Sequence, residues 1–219
     1  MDCATPATAV ALLPAGGDPP LRARHEPASG ERPGHASRLL PLCTELLARA
    51  GLAFADLERI AVGTGPGTFT GLRIAVATAR ALAYASRTPL AGVPTLDALA
   101  EPAREPAVLA VLDARRGEAF AAGYLNGVQT VPATALSPAA LVRLAARAPW
   151  LAVGEGALRF RAQLEEAGAR VPPDDAPYHH VDAAAICRLG RTAVAGPPET
   201  VVPHYLRLPD AELRRRGRA

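Results

Sequence analysis

Lysine is absent from the 219-residue chain, so all 24 basic side chains are arginine. That absence excludes a phosphate loop of the G-x-x-x-x-G-K-[ST] type, whose lysine reaches the phosphates. Cysteine is scarce: Cys3, Cys43 and Cys187 stand far apart, odd in number and without a CxxC pair. Neither a disulfide framework nor a zinc site follows from them, and small buried apolar residues are the expectation. The five histidines (His25, His35, His179, His180, His204) contain no i, i+4 pair, and the adjacent His179 and His180 read as exposed loop residues. No stretch has the uninterrupted apolar length of a membrane span, and Met1 is followed at once by Asp2, without a signal-peptide layout. A cytoplasmic protein with neither membrane nor DNA among its partners is therefore expected. Much alanine, proline and glycine beside an all-arginine basic set looks like the codon bias of a GC-rich genome, which devalues any single arginine as a signal. The net charge of +3 is concentrated in "AELRRRGRA", Ala211 to Ala219, which reads as a solvated tail.

What is present is α/β texture in a chain long enough for a real core. Ala7 to Gly16 reads as a strand and turn, and "DPPLRARH" holds a short strand. Ser37 to Leu52 reads as a helix with Leu39, Leu42, Leu46 and Leu47 on one face and Pro41 in its first turn. After Glu101 come apolar strands joined by turns, with Asn126-Gly127 the strongest hairpin signal. Ser137-Pro138 and Asp182 read as helix starts, and Gly168 as a helix end. Two α/β subdomains are expected, residues 1–94 and 95–219.

The densest signal is "IAVGTGPGTFTGLRIAVATARALA", Ile60 to Ala83. A strand runs into Gly63, Gly65, Gly67 and Gly71, interleaved with threonines, and a helix opens from Leu72. Such a turn can cradle a phosphate on glycine backbone and a helix N-terminus. It can equally be a tight turn that lets backbones approach. The helix carries small apolar residues nearly all round, which requires burial on more than one side, by its own core or by a partner subunit. Arg73 lies in its first turn, where the helix dipole disfavours a cation. A carboxylate or carbonyl partner is expected for Arg73, and a rim contact for Arg80.

The glycine segment closely resembles the signature of the TsaB (YeaZ) family. The likeness extends to "DCATPATAVAL" at the start, "HASRLLPLCTELL", "VPTLDALA", "LDARRGEAFAAGY" and "VPHYLR" near the end. It implies the actin/hexokinase-like ATPase (ASKHA) fold, with two subdomains facing a cleft. It also implies a non-catalytic dimerisation subunit in bacterial synthesis of N6-threonylcarbamoyladenosine in tRNA. The implied partners are a TsaD-like transferase and a TsaE-like ATPase, with tRNA reached through the complex. Homodimerisation through the same face stays open. No cofactor is certain, and weak ATP or ADP binding stays open, with Asp2, Thr5, Gly63, Gly65, Gly67, Thr68 and Gly71 as the nucleotide-like loop. The partner interface would draw on Leu39, Leu42, Leu46, Arg73, Val76, Ala79, Arg80 and Ala83.

Where TsaD-type enzymes carry a His-x-x-x-His metal motif, this chain reads "VPTLDALAEP", whose only carboxylates are Asp97 and Glu101. No metal and no catalytic residue are therefore expected, which also disfavours a metallopeptidase. The alternative is a nucleotide-dependent enzyme, an ATPase or kinase on the same fold. Two departures stand out. The family usually has several apolar residues before the aspartate matched by Asp2, so the strand bearing Asp2 would be short; and Cys3 replaces a usual threonine. Asp113, Arg115, Arg116 and Glu118 sit at a hairpin the family keeps, suited equally to salt bridges across the two halves and to contact with partner or tRNA.

Overall fold

The computed structural model of the chain describes residues 1–16, 19–28 and 30–207. The arginine-rich tail from Ala211 lies outside the described residues.

Strands β1 (Thr8–Leu12) and β2 (Leu21–His25) form an antiparallel pair. Helix α1 (His35–Ala50) follows, ended by Gly51 in the left-handed conformation. It begins two residues before the sequence suggests, so Pro41 lies inside the helix and not in its first turn. Strand β3 (Ile60–Gly63) leads through the glycine turn into α2 (Phe69–Ser86). Strand β4 (Leu90–Val93) lies parallel to β3, and the short helix α3 (Thr95–Ala100) comes next. One face of α1, with Leu39, Cys43 and Leu46, and one face of α2, with Ala75, Val76, Ala79 and Ala83, share a core with Val10, Ile60 and Val62.

The second sheet is built from β5 (Ala107–Arg115), β6 (Glu118–Leu125), β7 (Val128–Leu136) and β8 (Leu151–Val153), in the order β7-β6-β5-β8. Between β7 and β8 runs α4 (Pro138–Ala145), started by the Ser137 hydroxyl, which accepts from the Ala140 N–H. Asn126 and Gly127 both take positive φ at the β6–β7 turn, as a two-residue hairpin requires. Strand β5 is apolar on both faces because both are covered. Leu109 and Val111 join Leu141, Trp150 and Leu164, while Val108, Ala110 and Leu112 join Leu96, Leu99 and Ile186. The β7 edge strand alternates exposed polar residues and carries Pro132, tolerable there because an edge N–H need not pair. Helices α5 (Glu155–Arg159) and α6 (Arg161–Glu166) complete this half.

The chain then returns. Helix α7 (Ala183–Thr192), capped by the Asp182 carboxylate on the Ala184 N–H, packs against β3, β1 and α3. Strand β9 (Ala195–Gly196) pairs with β4. Two elements that follow residue 94 therefore pack on the first sheet. The expected unit 95–219 does not stay together, because α7 and β9 complete the first sheet. The reason is a covering requirement: the face of the first sheet away from α1 and α2 is closed by α7. The Arg188 guanidinium pairs with the Glu101 carboxylate at 2.7 and 2.5 Å and ties α7 to the residue that closes α3. Among the described residues no helix is long and apolar enough to cross a membrane.

Candidate functional site

The glycine turn is where the first half converges. Residues 1–5 are buried, and they fill the hollow of the turn. A side chain at Gly63 would strike the Asp2 carboxylate, one at Gly71 the Cys3 carbonyl, and one at Gly67 the Ala4 carbonyl at 2.5 Å. The glycines here serve close approach of this chain to itself. Gly65 also requires glycine for its φ of 106°.

Several backbone N–H groups of the turn are engaged internally. Thr68 N–H donates to Ala4 C=O at 2.7 Å, Gly63 N–H to Met1 C=O at 2.9 Å, and Gly65 N–H to the Thr95 hydroxyl at 3.1 Å. The Asp2 carboxylate lies at the centre of this knot, accepting from the Ala4 N–H at 2.8 Å and the Thr95 hydroxyl at 3.0 Å. Burial raises its pKa, while those two donors pull it back. The structure thus brings Asp2, Gly63, Gly65, Gly67, Thr68 and Gly71 together. Thr5 is buried beside them. Thr95, which joins Asp2 to the loop, was missed; its only signal was its place in "VPTLDALA".

A C-terminal strap crosses the same turn. His204 N–H donates to Thr64 C=O at 2.7 Å. Arg73 is satisfied by this strap, and not by the expected carboxylate or carbonyl: its guanidinium sits 3.9 Å above the Phe69 ring and donates to the Tyr205 hydroxyl at 3.2 Å. The Phe69 and Tyr205 rings stack with centroids 4.9 Å apart. Arg80 donates to the carbonyls of Val201 and Glu199, both at 2.8 Å, so it holds the same strap.

The expected partner face is turned inward. Leu39, Leu46, Val76, Ala79 and Ala83 are buried in this chain's own core, and Leu42 is half-buried. A helix apolar all round gives no signal of which side meets the sheet. The outward residues of α2 are Thr70, Arg73, Ala77, Ala81, Tyr84 and Ala85, flanked by half-buried Ile74 and Thr78, and Tyr84 is 80% exposed. Beside them α1 exposes Leu40, Pro41 and Thr44.

The two carboxylates at the metal-motif position are both engaged. Asp97 accepts from the Tyr124 hydroxyl at 2.6 Å, and Glu101 holds Arg188. Burial raises the pKa of Asp97 despite that hydrogen bond. His179 is no exposed loop residue: it is buried, with its ring nitrogens 3.1 to 3.2 Å from the carbonyls of Gly154, Pro172 and Pro173. From this buried position the ring joins the Gly154 turn to the Pro172–Pro173 segment. Cys3 and Cys43 are buried and Cys187 half-buried, all three as free thiols.

The second half has its own strand–glycine–helix turn, at Gly154 between β8 and α5. Here the hairpin residues gather. Asp113 accepts from the Arg115 N–H at 2.8 Å and from Arg159 at 2.7 Å. Glu118 pairs with Arg207 at 2.9 Å, linking the hairpin to the strap. Arg115, Arg116 and Gly117 all take positive φ at the tip. Glu155 faces this group with a carboxyl pushed up to about 7, by burial first and then by the Asp113 charge; Arg115 and Arg24 oppose the shift. Nothing in the sequence marked Glu155, because its environment is assembled from β2, the hairpin and α5.

The family model for TsaD, tRNA N6-adenosine threonylcarbamoyltransferase, matches residues 28–163. An uncharacterised protein of Mycobacterium tuberculosis is 38% identical over 178 residues, 81% of this chain and 77% of that one. The tRNA threonylcarbamoyladenosine biosynthesis protein TsaB of Bacillus subtilis is 30% identical over 189 residues, 82% of each chain. Among solved structures, YeaZ from Pseudomonas aeruginosa superposes with a TM-score of 0.73 at 29% identity, covering 94% of this chain and 97% of its own. A second Pseudomonas aeruginosa structure, titled as an uncharacterised protein with similarity to peptidase YeaZ, gives 0.76 at 31% identity, with the same coverage.

Two expectations follow from this geometry. Gly67→Ala places a methyl group against Ala4, and overpacking of this kind costs about 1–3 kcal/mol; urea unfolding is expected to show that loss. Glu155 is protonated more firmly in the folded state than in the unfolded one, so its contribution is present below pH 4.5 and is lost as pH rises through about 7. Glu155→Gln should therefore leave stability at pH 4 nearly unchanged and raise it at pH 8 by on the order of 1–3 kcal/mol. Paired unfolding curves at the two pH values check the sign.

Proposed function

The chain belongs to the TsaB family and has its actin/hexokinase-like α/β fold, and from that premise we propose that it is the non-catalytic dimerisation subunit of a bacterial tRNA N6-threonylcarbamoyladenosine synthesis complex. Its direct partner in this reading is a TsaD-like transferase. A TsaE-like ATPase and the tRNA join through the assembled complex, in the cytoplasm.

The observation that carries the reading is the outer face of α2. Ala77 and Ala81 let a second helix approach closely, and exposed Tyr84 supplies an amphipathic contact of the kind enriched at interfaces. The TsaD family model matches residues 28–163, a span that contains α1 and α2, and this likeness favours a contact between corresponding helices of the two chains about a pseudo-two-fold axis. Without the transferase, a second copy of this chain can take its place in the same manner. The glycine turn supports the absence of catalysis, since the N–H groups of Gly63, Thr68 and Gly65 are spent on Met1, Ala4 and Thr95 and the first residues of the chain fill its hollow.

Ala81 and Ala79 separate the outer face from the core. Ala81→Arg should weaken capture by an immobilised TsaD-like subunit at least tenfold without lowering Tm, because an unpaired charge buried in a contact costs about 3–5 kcal/mol. Ala79 is fully buried, so Ala79→Arg should collapse the monomer itself. Undiminished capture by the Ala81 variant would place the partner face elsewhere. ATP turnover by the isolated chain at an enzymatic rate would favour the nucleotide-dependent alternative.

A further inference from the structure

A cavity of about 510 Å³ opens beside α3, lined neither by the glycine turn nor by α2. Its size is that of a small-molecule site. Its walls come from distant parts of the chain: α3 supplies Asp97, the turn after it Arg104, β5 Val108, β6 Tyr124 and α7 Leu189. Ala100, Val108 and Tyr124 belong to the core, and half-buried Leu189 packs against the same cluster. Together they make an apolar floor.

The rim is charged, and its charges differ in whether they have partners. Glu101 is committed to Arg188, and Glu105 to Arg170 at 3.2 Å. Asp97 is not so committed. Its Oδ1 accepts from the Tyr124 hydroxyl at 2.6 Å, and among the described residues its Oδ2 has no hydrogen-bond partner and no paired cation. Arg104, exposed in its turn, likewise has neither a carboxylate nor a carbonyl partner among the described residues. Burial raises the Asp97 carboxyl, because one neutral hydroxyl does not replace the water it has lost.

A carboxylate and a guanidinium thus line one cavity without pairing with each other. Neither a simple anion nor a simple cation answers both. A molecule with an ammonium and a carboxylate on one carbon does: the ammonium meets Asp97 Oδ2, and the carboxylate meets the guanidinium fork. We propose that this cavity binds a free α-amino acid with a branched apolar side chain, its ammonium on Asp97, its carboxylate on Arg104 and its side chain over Ala100, Val108 and Leu189. The Tyr124 hydroxyl orients the Asp97 carboxyl for this contact by holding the other oxygen. The site is separate from the partner face, because no residue of α2 lines the cavity.

The test titrates the 219-residue chain with L-leucine and follows by NMR the side-chain amides of Asn126 and Gln129, which line the same cavity. Saturable shifts are expected, with a Kd of about 1 mM or tighter. Isopentylamine, which lacks the carboxylate, and 4-methylpentanoate, which lacks the ammonium, are each expected to bind about tenfold more weakly or worse. Asp97→Asn keeps an oxygen for the Tyr124 hydroxyl and removes the charge. Arg104→Asn suits the φ of 48° at that position and removes the guanidinium. Each variant should weaken leucine binding about tenfold or more. Absence of saturable shifts in the parent chain overturns the proposal, and so does leucine binding that either folded variant leaves intact. Isopentylamine binding as tight as that of leucine also overturns it, because the cavity is then a cation site only. Should Asp97→Asn fail to fold, the Arg104 variant and the two analogues decide.

Discussion

The Asp2 carboxylate, buried and held by the Ala4 N–H and the Thr95 hydroxyl, is the junction on which the first half is assembled. It fixes the N-terminal turn against β3, and Thr95 carries the linkage on to α3 and to the Gly65 backbone. A buried carboxylate is tolerable only when its oxygens are hydrogen-bonded, so the surroundings of Asp2 are strictly shaped. Gly63 lacks a side chain for that reason, while Gly71 leaves room for the Cys3 carbonyl and Gly67 for Ala4. The loop that most resembles a phosphate cradle is thereby filled by the protein's own first residues.

From that junction the remaining architecture follows by covering. Helices α1 and α2 cover one face of the first sheet and α7 the other. Helices α3 and α7 also lie between the two sheets, so β5 is buried on both faces. The strap from Glu199 to Arg207 closes the edge, held by Arg80, by the Arg73–Phe69–Tyr205 cluster, and by Arg207 on Glu118. Arginines without distinct signal in a lysine-free sequence thus act as internal fasteners. The fork of a guanidinium reaches several carbonyls at once, as Arg80 does with Val201 through Nε and Glu199 through Nη2.

The partner reading and the chemical reading draw on opposite sides of the same helix. The inner face of α2 is spent on the core, and its first turn on the strap and the N-terminal residues. Only the outer strip through Ala77, Ala81 and Tyr84 remains for another molecule. That division gives the Ala79 and Ala81 variants opposite expected outcomes two residues apart. Glu155 marks a different kind of site, a seam where groups from both halves set one proton's affinity.

Much was decided by the sequence alone. Local rules marked the Asn126-Gly127 hairpin, the Ser137 and Asp182 caps and the strand–glycine–helix unit, because each depends on residues a few positions apart. The family likeness was also legible, since its motifs are contiguous. The side of α2 that faces inward was not, because alanines on every side give a helix no amphipathic direction. Nor were the burial of His179, the partner of Arg73, the return of α7 and β9 to the first sheet, or the raised carboxyl of Glu155. Each depends on groups brought together from distant parts of the chain: Gly154 with His179, Tyr205 with Arg73, Leu90 with Gly196, Asp113 with Glu155. Only the tertiary structure sets such distances, and burial and electrostatic coupling depend on distance in space, not on separation along the sequence.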